Sequence, residues 1–326
     1  MVMTICIHVS NNYLRAFDES SQGDFLVSVI LNSLSRVCVP LFFMISGAFA
    51  IGKEYNRKTY FEKILKFVLI LAVWNLIYFI TRNGFNLGKM GKAAAACFFN
   101  AEMTSRHLWY MYALIGLYIA LPFIQNMCKN MSRELENLFL ILWFCLSGLT
   151  LIFLPLASFI TKTKVAITYP IPLINSAYYL GYFIGGHILY KRFKDIKFDN
   201  RKNLICVAAY LGAMLITIIA TYFISLKRGY AIEQTGWYRG ALIIIASFAI
   251  FTLFVTKGDS FKSNAISVFS KQTFGIYLIH IIFLDIIKHF FHLPDFNPLI
   301  AIPLLTAAIY VCSWGSCFVI SKIPII

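Results

Sequence analysis

About nine stretches of this chain are apolar over roughly 20 consecutive residues, the length a helix needs to cross the hydrocarbon core of a bilayer. Lipid offers no hydrogen bonds to a bare backbone, so such stretches can span only as helices or as closed barrels, and their length and continuity select helices. They lie near Phe25–Ile51, Tyr60–Ile80, Leu108–Ile124, Leu138–Ile160, Pro172–Tyr190, Leu204–Ile224, Ala241–Thr256, Thr273–Phe291 and Leu299–Ile320. A shorter apolar piece, Met1–Val9, precedes the polar stretch Ser10–Asp24 and is about half a span long. The expected fold is all-α: a polytopic transmembrane helix bundle of about nine full spans plus an N-terminal half-span, forming one membrane domain over 1–326. Composition agrees. The chain is 60% hydrophobic and 13% charged. A soluble domain carries about 25% charged residues. The first piece lacks the basic head of a signal peptide, so the chain is expected to begin inside a helix, truncated in its first span.

The net charge of +15 would raise nucleic acid as a partner for a soluble protein. Here the basic residues sit in loops, where they fix topology, and no aromatic-plus-basic platform for bases accompanies them. With Met1 on the cytoplasmic side, 17 Lys and Arg residues fall inside and 11 outside. The densest inner loop is Lys191–Lys202. The longest outer loop, Arg82–His107, contains the run Lys92–Asn100, which reads as a short amphipathic surface helix. None of the eight cysteines forms a CxxC pair, and most lie in apolar runs as small buried hydrophobes. No metal site is expected.

Ionisable residues at bilayer depth are expensive, so they are functional candidates by default. His8 lies just before the outer polar loop; its neutral ring can accept a proton near pH 7, as a general base must, but interfacial histidines are common. Arg36 is about eleven residues into its span, roughly 16 Å deep. It cannot readily shed its charge, and it requires an anionic partner, a wet cavity or an anionic substrate. Asp285 is one conceivable partner. Tyr277 and His280 share a helix face at i, i+3. Ser46-Gly47, near the inner end of the Arg36 span, permits close approach of a ligand or of another helix, and packing alone explains it. Gly181 and Gly185 have packing spacing, Trp109 belongs to an outer aromatic belt, and His289 with His292 does not complete a metal site.

An arginine at depth and a histidine near the outer edge fit two classes of protein. One is a transporter or flippase of a polysaccharide or lipid-linked sugar; the other is a membrane enzyme working across the bilayer. The residues alone do not choose between them.

Three segments resemble a known family. Ser35-Arg36-Val37-Cys38-Val39-Pro40-Leu41-Phe42-Phe43-Met44-Ile45-Ser46-Gly47 resembles the second-span signature of the membrane acyltransferase 3 family. Leu108-Trp109-Tyr110-Met111-Tyr112 through Leu121-Pro122, and Phe274-Gly275-Ile276-Tyr277-Leu278-Ile279-His280, resemble two further motifs of that family in the same order. The resemblance implies transfer of an acyl group, most often acetyl, from cytoplasmic acyl-CoA to a hydroxyl of an extracytoplasmic glycan or related acceptor, by a multi-pass protein of the cytoplasmic membrane. Acyl-CoA would be a co-substrate, with no bound cofactor and no nucleic acid. The family's first span carries an arginine and, eleven residues later, a histidine. His8 matches that histidine, and the arginine would fall before Met1.

The resemblance also implies roles. His8 would deprotonate the acceptor or, in a variant mechanism, carry the acyl group. Arg36, Ser46 and Gly47 would hold the acyl donor, with Arg36 orienting it or stabilising the thioester oxyanion. Basic residues of Lys191–Lys202 would meet the CoA phosphates. Trp109, Tyr277 and His280 would support these groups or simply pack.

Overall fold

The computed structural model describes residues 1–85, 105–149, 176–232, 238–258 and 263–320. Among them every regular element is helical. In chain order the α-helices are α1 (Val2–Arg15), α2 (Gln22–Ser35), α3 (Cys38–Ala50), α4 (Arg57–Asn83), α5 (Trp109–Ile119), α6 (Leu121–Asn130) and α7 (Arg133–Trp143). They continue with α8 (Ser176–Phe193), α9 (Asn200–Arg228), α10 (Ala241–Lys257), α11 (Asn264–Lys271), α12 (Thr273–Phe290) and α13 (Pro298–Ile320). The Lys92–Asn100 segment lies outside the described residues.

Five segments among the described residues are long and apolar enough to cross a bilayer: Gln22–Ala50, Arg57–Asn83, Asn200–Arg228, Thr273–Phe290 and Pro298–Ile320. A sixth counts if the bent pair Arg106–Ile119 and Leu121–Asn130 is one span. The helical, membrane-spanning class therefore stands, and the described residues account for five or six of the nine expected spans. The span expected over Leu108–Ile124 bends by 59° because Pro122 enters the first turn of α6 without an N–H to continue the ladder of α5. Ala241–Lys257 has only 17 residues, and Leu138–Ile160 and Pro172–Tyr190 run partly outside the described residues.

The spanning helices invert the amphipathic pattern of a soluble protein. On α4, Phe61, Leu65, Leu69 and Val73 form an exposed stripe at intervals of four, whereas Asn75 and Tyr78 are buried. On α9, Leu211, Leu215, Ile219 and Phe223 are exposed, and Thr217, Thr221 and Ser225 are buried. Lipid, being as apolar as leucine, accepts the first set. The buried hydroxyls satisfy themselves locally: Thr217 donates to the Ala213 carbonyl at 2.8 Å and Thr221 to the Thr217 carbonyl at 2.7 Å.

Two compact units divide the chain. The first comprises Met1–Leu41 and Phe193–Ile326. In it α1 packs against α2, α12 and α13; α2 also meets α9 and α13; α9 pairs with α10 and α12 with α13. Val37, Ala213, Met214, Ile243 and Ala246 make a core where the end of α2 meets α9 and α10. Helix α1 runs past the apolar piece expected to end at Val9 and continues to Arg15. Its polar residues bond back to the helix instead of leaving it, Ser10 Oγ to the Cys6 carbonyl at 2.6 Å and Asn12 Nδ2 to the His8 carbonyl at 2.8 Å.

The second unit is Phe42–Arg192. Here α4 packs on α5, and α5 turns into α6. Gly47 and Gly186 let α3 and α8 approach backbone to backbone: a Cβ on Gly47 would overlap the Phe183 carbonyl, and one on Gly186 the Met44 carbonyl. Gly181 makes room for the Trp143 ring in the same way. Gly47, Gly181 and Gly186 are thus glycines that need the space.

Candidate active site

The candidate residues begin with α1. Its packing against α12 sets the His8 ring against the His280 ring, with centroids 5.2 Å apart and planes tilted by 49°. The two residues are far apart in sequence. His280 has 0% exposure, and His8 is half-buried. His280 Nδ1 lies 2.7 Å from the Tyr277 carbonyl and 3.1 Å from the Ile276 carbonyl. Carbonyl oxygens only accept, so Nδ1 carries the hydrogen and Nε2 of the neutral ring keeps its lone pair. Tyr277, also buried, places its ring 6.3 Å from that of His280.

Arg36 sits at a break in its span. Pro40 has no N–H to bond the Arg36 carbonyl, and the helix pauses between Ser35 and Cys38. Its side chain is buried, at 7% exposure, and Nε donates to Asn32 Oδ1 at 2.7 Å. The guanidinium stands 5.8 Å from the centroid of the Tyr238 ring. Among the described residues Arg36 makes no ion pair, so the conceivable Arg36–Asp285 partnership is not what holds it. Asn32 in turn reaches α1 through Nδ2, which donates to Ser10 Oγ at 2.9 Å, Asn11 Oδ1 at 2.8 Å and the Ile7 carbonyl at 3.4 Å. Arg36 also acts electrostatically on the His8 ring. A base, a retained cation and a polar network therefore share the first unit.

Ser46, Gly47 and Trp109 belong to the second unit. Ser46 hydrogen-bonds the Tyr110 side chain. Phe43 stacks on Tyr179 with centroids 4.6 Å apart, and Trp109 meets Tyr179 at 5.1 Å. Two of the basic residues expected to meet CoA phosphates, Lys191 and Arg192, are engaged by the buried Glu136: Lys191 Nζ at 3.0 Å, Arg192 Nε at 3.0 Å and Arg192 Nη2 at 2.7 Å. Among the described residues no group of three or more His, Cys, Asp or Glu side chains is placed to hold a metal ion.

A family model described as an acyltransferase domain matches residues 1–318. The chain belongs to the acyltransferase 3 family. No curated protein and no solved structure gives a significant match. As an acyltransferase of this family the protein is a membrane-embedded transferase. The residue that sequence reasoning missed is Asn32. Its one signal was the i, i+4 spacing to Arg36, which puts an amide on the arginine's face of the helix.

Proposed function

We propose that this acyltransferase moves an acyl group, acetyl in the first instance, from cytoplasmic acyl-CoA to a hydroxyl of an extracytoplasmic glycan or lipid-linked sugar. His8 takes the proton of the acceptor hydroxyl as its oxygen attacks the thioester carbonyl. The tetrahedral intermediate collapses with loss of the C–S bond, and the proton passes from His8 to the departing thiolate. General-base help of this kind contributes about 10²–10⁴-fold. Arg36 faces the developing oxyanion or the donor as a fixed positive charge, worth about 10²–10³-fold in comparable sites. The acceptor glycan, the CoA donor and a cytoplasmic-membrane location belong to this reading.

The observation that carries it is the first unit's own arrangement: His8 against His280, with a buried Arg36 that no carboxylate neutralises among the described residues. A structural ion pair would explain a deep arginine without chemistry, and here its contacts are an amide and an aromatic face.

The test is acetyl transfer from labelled acetyl-CoA to an envelope glycan fraction by purified protein. Transfer by the wild type, abolished in His8→Ala with the thermal midpoint unchanged, supports the proposal. Full transfer by His8→Ala removes the general-base role. Absence of both CoA binding and transfer moves the protein to the class of sugar exporters and flippases.

A further inference from the structure

Chemistry fixes the orientation of the Asn32 amide. Arg36 has donors only, so the atom 2.7 Å from its Nε must be Oδ1. Nδ2 is then committed to α1, at Ser10 Oγ, Asn11 Oδ1 and the Ile7 carbonyl. Ser10 donates its own proton to the Cys6 carbonyl at 2.6 Å, so toward Asn32 its hydroxyl accepts. The result is a directional chain from Arg36 Nε–H to Asn32, from Asn32 to Ser10, and from Ser10 to the Cys6 carbonyl. One amide thereby ties the guanidinium to the turn of α1 that carries His8. Asn32 is 3% exposed and Ser10 0%, so water does not compete.

The choice of an amide has an electrostatic consequence. A carboxylate at position 32 would accept from Nε, cancel the guanidinium's charge and lose the donors to α1. The amide holds it and leaves the charge whole. Nη1 and Nη2 make no hydrogen bond among the described residues, so both terminal nitrogens remain for an anionic oxygen.

We infer that Asn32 is a positioning residue: it fixes the Arg36 guanidinium relative to the His8 helix without neutralising it. This rests on the proposed acyl transfer and extends it to a residue that touches no substrate.

The inference is tested by Asn32→Asp and Asn32→Ala, each also made in an Arg36→Met background. Asn32→Asp keeps an acceptor for Nε and pairs Arg36, but it has no N–H for Ser10 Oγ, Asn11 Oδ1 or the Ile7 carbonyl, so the thermal midpoint of the purified protein should fall. Turnover from acetyl-CoA should fall by about 100-fold, with kcat carrying the loss if the charge faces the oxyanion. Asn32→Ala should lose turnover to a similar extent and lose stability as well. In an Arg36→Met background neither substitution should lower turnover further, because its route runs through the arginine. Asn32→Asp with turnover within about threefold of wild type, or losses that multiply with that of Arg36→Met, would overturn the inference while wild-type transfer still stands. A wild type that binds no CoA and transfers nothing would instead overturn the proposed function, and this inference with it.

Discussion

Glu136 offers a prediction whose size can be worked from geometry. It is buried in the first turn of α7, and its two oxygens receive three hydrogen bonds from Lys191 and Arg192. Arg192 Nη1 also donates to Asn137 Oδ1 at 2.8 Å. Lys191 is 53% exposed, so its share is screened and worth at most about 1 kcal/mol. Arg192 is 19% exposed and two-pronged; charged hydrogen bonds of that kind contribute about 1.5–3 kcal/mol. Glu136→Gln replaces one acceptor by an NH₂ facing a cation. It should cost about 2–4 kcal/mol, or a fall of roughly 4–8 °C in thermal midpoint by the scaling of larger domains. Burial works to raise the Glu136 carboxyl, but hydrogen bonds from Arg192 and Lys191 outweigh it and hold the group below its ordinary 4.5. The stability it contributes is therefore complete above pH 4.5 and is lost as pH falls through the lower folded value. Thermal unfolding of purified protein between pH 3 and pH 7 reads both effects, with the exposed Glu134→Gln as control. A Glu136→Gln midpoint within about 1 °C of wild type, with the acid-dependent loss retained, would refute the reasoning.

Three further predictions follow from other regions. Gly47→Ala forces a methyl into the Phe183 backbone and should destabilise by about 3 kcal/mol, whereas the lipid-facing Ile45→Val should leave the midpoint unchanged; equal midpoints would mean that the helices have room to part. Arg36→Lys keeps the charge and loses the planar fork, so transfer should drop by at least about tenfold with the fold intact; wild-type turnover would exclude two-pronged contact with the donor. The exposed His292 bonds Asp295 Oδ1 at 2.9 Å and lies 3.6 Å from Glu19 Oε2. The hydrogen bond to Asp295 and the two carboxylates hold its ring above the ordinary 6.5. Its contribution is present below pH 6.5 and lost as pH rises through the folded value. Histidine ring shifts should titrate above 6.5 and move down in Asp295→Asn; a midpoint at or below 6.5 in the wild type would contradict the contact.

Hydropathy made the helical class legible because lipid asks only for apolar length. It was blind to the two breaks. Pro40 and Pro122 leave a window's mean nearly unchanged while each removes one backbone donor, and the sequence reading passed a straight span through both. It also ended the first helix at Val9, since Ser10 and Asn12 look like loop residues until their side chains turn back onto the helix. Tyr277 and His280 were readable as neighbours from i, i+3 spacing. The His8–His280 contact was not, because it depends on α1 packing against α12. Arg36 announced itself by charge. Asn32 carried no charge to flag it, and its importance lies in what its two ends touch.

The inverted helices change what mutation can do to this protein. Along Leu211, Leu215, Ile219 and Phe223 the neighbour is a fluid, which imposes no shape and lets one hydrocarbon replace another. Thr217, Thr221 and Ser225 face fixed protein atoms, where a change of one methyl or one hydroxyl is felt. Drift across generations should therefore blur the greasy letters first and leave the small polar ones standing. For a chain of this kind, the positions that look least like a membrane helix are the ones that record its ancestry.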